Sequence, residues 1–138
     1  VAAGLHPVVN SAAQLKAWRE AARAADRRLP AAIQVDSGMS RLGMPPADVE
    51  GLAVDAFDGV DIRFVMSHLA RADEPLQPAN EKQRREFERL RKMLPAAPAS
   101  LANSSGIFLG PAYHYDLARP GAALYGVNPT PDKPNPIL

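Results

Sequence analysis

The chain has 138 residues, 46% of them hydrophobic, with 16 Lys plus Arg against 15 Asp plus Glu and a net charge of +1. That length supports one domain with a real core, and the balanced charge leaves no footprint for nucleic acid or an anionic membrane surface. There is no cysteine, which excludes a disulfide framework and a thiolate metal site, and no apolar run approaches the roughly 20 residues of a membrane-spanning helix.

The opening VAAGLHPVVN has neither the layout of a signal peptide nor an initiator Met, so the natural N-terminus is expected elsewhere and the expected setting is cytoplasmic. LHPVV (5–9) is a strand candidate. Ser11 and Gln14 form a capping box, and Leu15, Trp18, Ala22 and Ala25 follow at helical spacing. AAIQV (31–35) reads as the next strand. Pro45 and Pro46 suit the first turn of a helix expected to run to about Phe57.

DIRFVMSHL (61–69) is rich in β-formers, with Ile62, Phe64 and Met66 on one parity and His68 sharing it. From about Pro78 to Leu94 the pattern is helical, with Phe87, Leu90 and Leu94 as its apolar stripe and charges elsewhere. SLANSSGIF (100–108) reads as a short strand entering a small-residue turn. LARPGAALYG (117–126) reads as one more strand, interrupted by Arg119-Pro120-Gly121. The tail NPTPDKPNP cannot be helix or central strand. The expected organisation is therefore a domain over 1–127 and a Pro-rich linker over 128–138.

Strands alternating with helices imply βαβ units and a parallel sheet. Four or five such units fit either an open doubly wound sheet or part of an eight-stranded barrel. In both, chemistry sits at the carboxyl ends of the strands. Arg41, His68, Asn103-Ser104 and Arg119-Pro120-Gly121 all fall there.

Each has a structural reading beside the functional one. Arg41 is either a solvent-facing loop residue or a planar fork of donors for a carboxylate or phenolate. His68 is either a hydrogen-bonded core histidine or a ligand-side imidazole; no second His stands at metal-ligand spacing, so no metal site is expected. Ser104 and Ser105 are either a helix N-cap or part of a phosphate cradle. The Arg119-Pro120-Gly121 run is either a bulge or a ligand-facing turn. The acids of ADEP (72–75) are sequence neighbours that point apart in a loop and are not a catalytic pair.

Taken together and in order, GLHPVVNSAAQL, VDSGMSRLGM, MSHLARADEP, ANSSGIFLGP and DLARPGAALYGVNPTPDKPNP resemble the alanine racemase family. The resemblance covers almost the whole chain. It implies the later portion of a (β/α)8 TIM-type barrel, α/β in class, followed in the family by a β-rich domain and working as a homodimer. It implies pyridoxal 5'-phosphate as cofactor and racemisation of L-alanine to D-alanine, which supplies peptidoglycan.

By the same resemblance, Arg41 bonds the cofactor phenolic oxygen and steers the substrate carboxylate. His68 lies beside the ring and buttresses the ring arginine. Ser104, with the backbone N–H groups of Gly121 and Ala122, holds the phosphate. Arg119 bonds the pyridine nitrogen.

Two parts of the family pattern are not in this segment: the Schiff-base lysine of the first barrel strand and the catalytic tyrosine of the β domain. The four lysines, Lys16, Lys82, Lys92 and Lys133, lie on helical patterns or in the linker. The segment by itself is therefore expected to be inactive, with open sheet edges that favour association. At position 34 some family members carry a carbamylated lysine that supports the arginine; here it is Gln34, with Asp36 as an alternative support. The competing readings are a non-catalytic, cofactor-binding remnant of the same fold and a racemase for serine or another small amino acid.

Overall fold

The computed structural model describes residues 3–137. In chain order its elements are β1 (Val8–Val9), α1 (Ala12–Ala24), β2 (Leu29–Gln34), α2 (Pro46–Glu50), β3 (Val60–Met66), α3 (Pro78–Arg91) and β4 (Ala99–Ser100), followed by short 3₁₀ turns. The four strands form one sheet in the order β1-β2-β3-β4, with every neighbouring pair parallel. Helices cross over between strands, which gives the expected βαβ architecture.

β2 is central and covered on both faces. Ala31, Ile33 and Val35 are fully buried, and Ala32 and Gln34 between them are at most 9% exposed. Such a strand reads as a continuous apolar run rather than an alternation. The core lies between the sheet and its helices and joins Val9, Leu15, Ile33, Val60, Val65, Phe87 and Leu90.

α1 begins as its sequence dictates. The Ser11 hydroxyl accepts the Gln14 N–H at 3.2 Å, and the Gln14 side chain reaches back to the Asn10 N–H at 2.7 Å, one residue before the position a standard capping box uses. Leu15 and Ala22 form its buried face. The expected stripe is buried: Phe87 and Leu90 in α3, and Leu94 just past its end, since α3 stops at Arg91 rather than Leu94.

Several expectations are corrected. α2 ends at Glu50 rather than Phe57 because Gly51 caps it and Leu52–Gly59 turns back toward β3. On β3 the register shifts between Ala31 and Ala32, so Ile62 pairs with Ala31, Phe64 with Ala32, and Arg63 has no partner. This bulge flips the side-chain alternation. Val60, Ile62 and Val65 therefore pack toward the helices, and Ile62 does not share a face with Phe64 and Met66.

The 100–108 strand reduces to β4, whose sheet pairing ends at Ser100. Residues 117–126 are not a strand. Arg119 makes a single bridge to Asn103, its N–H donating to the Ala102 carbonyl at 2.9 Å. Pro120 then has no N–H to continue a ladder, and Ala122–Tyr125 closes as a 3₁₀ turn.

Residues 128–137 form turns, in which Asn128 accepts the Thr130 N–H at 2.9 Å and donates to the Lys133 carbonyl at 2.9 Å. Among the described residues no helix is long and apolar enough to cross a membrane.

Candidate functional site

Parallel strands deliver their carboxyl ends to one side, and four segments meet there: residues 35–44, 67–70, 101–106 and 116–123. The first is shaped by Asp36. One of its carboxylate oxygens accepts the N–H groups of Gly38, Met39 and Ser40, at 2.9, 2.9 and 3.1 Å. The loop then returns to its own strand, with Met44 N–H on the Gln34 carbonyl at 2.7 Å. Gly43 permits that return: its φ is +109°, and a Cβ there would lie 2.6 Å from the Val35 carbonyl carbon.

Arg41 sits at the exposed tip of this loop and bonds no side chain among the described residues. Neither Gln34 nor Asp36 reaches its guanidinium. Asp36 supports Arg41 through the backbone instead.

Behind this tip lies a row of buried hydroxyls at the ends of β2, β3 and β4: Ser37, Ser67 and Ser100, at 4%, 1% and 0% exposure. Ser37 and Ser67 share a hydroxyl–hydroxyl bond of 2.7 Å. Ser100 donates to the Leu117 carbonyl at 2.6 Å, which leaves its oxygen to accept from Arg119. The other arm of the Arg119 guanidinium donates to the Ser67 carbonyl. Burial pushes the Arg119 pKa below the usual arginine value, yet from that starting point it remains a cation at neutral pH. Its partners are neutral, so its charge is oriented without being cancelled.

His68 follows β3 and is half-buried. Burial, then the Arg119 and Arg41 charges, lower its pKa. Among the described residues no hydrogen bond joins His68 to Arg119; the Arg119 charge acts on the ring through space. The ring instead meets the Asn103 amide nitrogen at 3.4 Å. The backbone around it is clamped from α3, where the Gln83 amide donates to the His68 carbonyl at 3.0 Å and accepts the Ala70 N–H at 2.9 Å.

Ser104 is buried at 6% exposure, and its hydroxyl oxygen accepts the Ala123 N–H at 3.1 Å. This bond fixes the 121–123 backbone beside it. The N–H groups of Gly121 and Ala122 make no hydrogen bond among the described residues, and a Cβ on Gly121 would meet nothing within 4 Å. Ser105 is not a side-chain cap; the Asn103 side-chain amide oxygen, Oδ1, takes that role, accepting the Gly106 N–H at 2.9 Å.

The structure thus joins Ser104 to the 121–123 turn, His68 to Asn103, and Arg119 to the strand ends, with Arg41 above them as a free cation. These groups are mainly donors, suited to a ligand rich in acceptors. Among the described residues no group of His, Cys, Asp or Glu could hold a metal ion.

Ser37, Ser67, Ser100 and Gln83 were not singled out from the sequence. The serines carry a weak signal, each directly or nearly following an apolar run. Gln83 carries a stronger one, because 83, 87 and 90 share the stripe of α3 and Gln83 is only 3% exposed.

The sequence model of the alanine racemase N-terminal domain matches residues 1–129. A catabolic alanine racemase of Mesorhizobium japonicum is 77% identical over 100% of this chain and 37% of its own length. An alanine racemase of Methylobacterium nodulans is 48% identical over 99% of this chain and 37% of its own. The crystal structure of alanine racemase from Bartonella henselae, described as having covalently bound pyridoxal phosphate, superposes with a TM-score of 0.93 at 38% identity, over 99% of this chain and 40% of that one. The chain therefore spans well under half the length of these relatives.

Proposed function

Because the chain belongs to the alanine racemase family, we propose that the protein carrying it racemises alanine with pyridoxal 5'-phosphate. The observation that carries this reading is the donor set at the strand ends, above all a half-buried arginine held only by neutral partners. The residues present fit the cofactor. A hydroxyl at Ser104 and the free N–H groups of Gly121 and Ala122 suit a phosphate, which offers only acceptors at neutral pH. Open space at Gly121 leaves room for it.

When bound, the cofactor supplies the electron sink that makes the substrate Cα–H acidic. The residues of this chain bind and orient. Ser104, Gly121 and Ala122 hold the phosphate. Arg119 donates to the pyridine nitrogen and keeps its own proton, because an arginine does not give it up at neutral pH. An arginine in that place would leave the ring nitrogen unprotonated and so would moderate the electron sink that the cofactor supplies. Arg41 offers its fork to the phenolic oxygen and the substrate carboxylate. His68 packs beside the ring. Asp36, Ser67 and Ser100 keep the two arginines in place.

The two bases needed on opposite faces of Cα come, in this reading, from outside the segment: a Schiff-base lysine upstream and a tyrosine of a partner subunit. The lysines present support this, since Lys16, Lys82, Lys92 and Lys133 are all exposed. The tail from 128 leads toward a further β domain, and the working unit is a homodimer. Supply of D-alanine for peptidoglycan is one role. The Mesorhizobium relative is described as catabolic, which favours a second role, in the breakdown of alanine.

The test is chiral analysis of alanine incubated with the intact protein, with and without added pyridoxal phosphate. The expected outcome is cofactor-dependent equilibration of both enantiomers, with serine turned over more slowly. Unchanged enantiomeric purity overturns the reading. The segment 1–138 alone is expected to give no turnover.

A further inference from the structure

We propose that Asn103 is a positioning residue that fixes His68 in the tautomer carrying its proton on Nδ1. The orientation of the Asn103 amide is set by two backbone groups that cannot be exchanged. Its oxygen accepts the Gly106 N–H at 2.9 Å, and its nitrogen donates to the Leu69 carbonyl at 3.2 Å. Turning the amide over would set a donor against a donor at Gly106 and two acceptors against each other at Leu69. The amide nitrogen therefore faces His68 Nε2, at 3.4 Å, and Nε2 must be the lone-pair acceptor. A neutral imidazole then holds its proton on Nδ1, which bonds nothing among the described residues.

The backbone that carries the ring is held from α3, where Gln83 bonds the His68 carbonyl and the Ala70 N–H on either side of Leu69. The charges that act on the ring are cationic. Arg41 comes from the loop after β2 and Arg119 from the 116–121 segment, and both oppose a second proton on His68. Asn103 and Gln83 are uncharged, and among the described residues no carboxylate bonds the ring. His68 is thus a fixed neutral donor at Nδ1 and not an acid. Its consequence for catalysis rests on the reading above: the donor faces an acceptor on the cofactor, the substrate or a residue from outside the segment.

The test is imidazole nitrogen NMR on the intact protein with ¹⁵N-labelled histidine, recorded across a pH series without and with pyridoxal phosphate. The His68 signals are assigned by their loss in His68→Gln. The expected result for the wild type is a protonated Nδ1 and a bare Nε2 near neutral pH. In Asn103→Asp the carboxylate draws the proton to Nε2 and moves the titration midpoint up by about one pH unit or more. A protonated Nε2 in the wild type, or identical His68 spectra in wild type and Asn103→Asp, overturns the proposal. The wild-type spectrum decides even where the variant folds poorly. The predicted Nδ1–H in a protein that binds no pyridoxal phosphate supports this inference and removes the function proposed above.

Discussion

The arginines of this protein occupy two contrasting environments. On the outer face of α3, Arg84 and Arg85 share Glu81 at 2.7 and 2.8 Å, Arg89 meets Glu86 at 2.8 Å, and Arg91 meets Glu88 at 3.1 Å. Each of these arginines meets a carboxylate of its own helix about one turn away, Arg84 and Arg85 sharing one. At the strand ends Arg119 pairs with no acid among the described residues. It is held by the Ser100 hydroxyl and the Ser67 carbonyl. Cancelled charge on a solvated face adds little to stability and attracts nothing. Oriented, uncancelled charge in a half-buried place is costly to maintain, and it is the form in which an arginine can act on a ligand.

The sharpest way to break this contrast is to remove Arg119. Arg119→Met leaves the Ser67 carbonyl and the Ser100 hydroxyl short of a partner, a cost of about 1–3 kcal/mol measurable by denaturant unfolding. It is also expected to abolish racemisation in the intact protein. Arg119→Lys keeps the charge, loses the fork, and should recover stability better than activity.

A smaller effect is expected at Gln83. Gln83→Leu strips partners from the His68 carbonyl and the Ala70 N–H, for about 1–2 kcal/mol. Solvation of the freed loop then shows as faster amide exchange at 68–70, while the α3 amides beyond the first turn stay protected.

The outer face should respond least. Arg85→Ala is expected to change stability by no more than about 0.5 kcal/mol. Hydrogen bonds from Arg84 and then Arg85 pull the Glu81 pKa down to about 2. A carboxylate lowered on folding stabilises above its unfolded value and loses that contribution as pH falls through its folded one. The small, salt-sensitive loss should therefore appear between about 4.5 and about 2, and Glu81→Gln should flatten it.

How far the sequence could be read differs between these regions. The stripe of Phe87, Leu90 and Leu94, and the burial of Ile33 in β2, follow from local period and apolar content, and both are seen. The positions of Arg41, His68 and Ser104 after strands, though not that of Arg119, which reaches the same side on a segment that is not a strand, also follow from the alternation of elements. Their partners do not. Ser67 and Arg119 are 52 positions apart, and nothing in either neighbourhood marks the other. The bulge at Arg63 and the lost strand at 117–126 escaped the pattern for a related reason: period counts faces correctly only while register is unbroken, and register is set by the neighbouring strand.

By itself the sequence determined the class of fold, the order of its units and the side of the sheet on which chemistry collects, because periodicity and turn residues act over a few positions. The family followed from motifs spread along the chain. Only the tertiary structure decided that Arg119 would be held by neutral groups, that Asp36 would shape the Arg41 loop without touching its guanidinium, and that Asn103 would meet His68 in one orientation. Those facts depend on which donors and acceptors are left over when parallel strands stop side by side, and that remainder exists only once the sheet has formed.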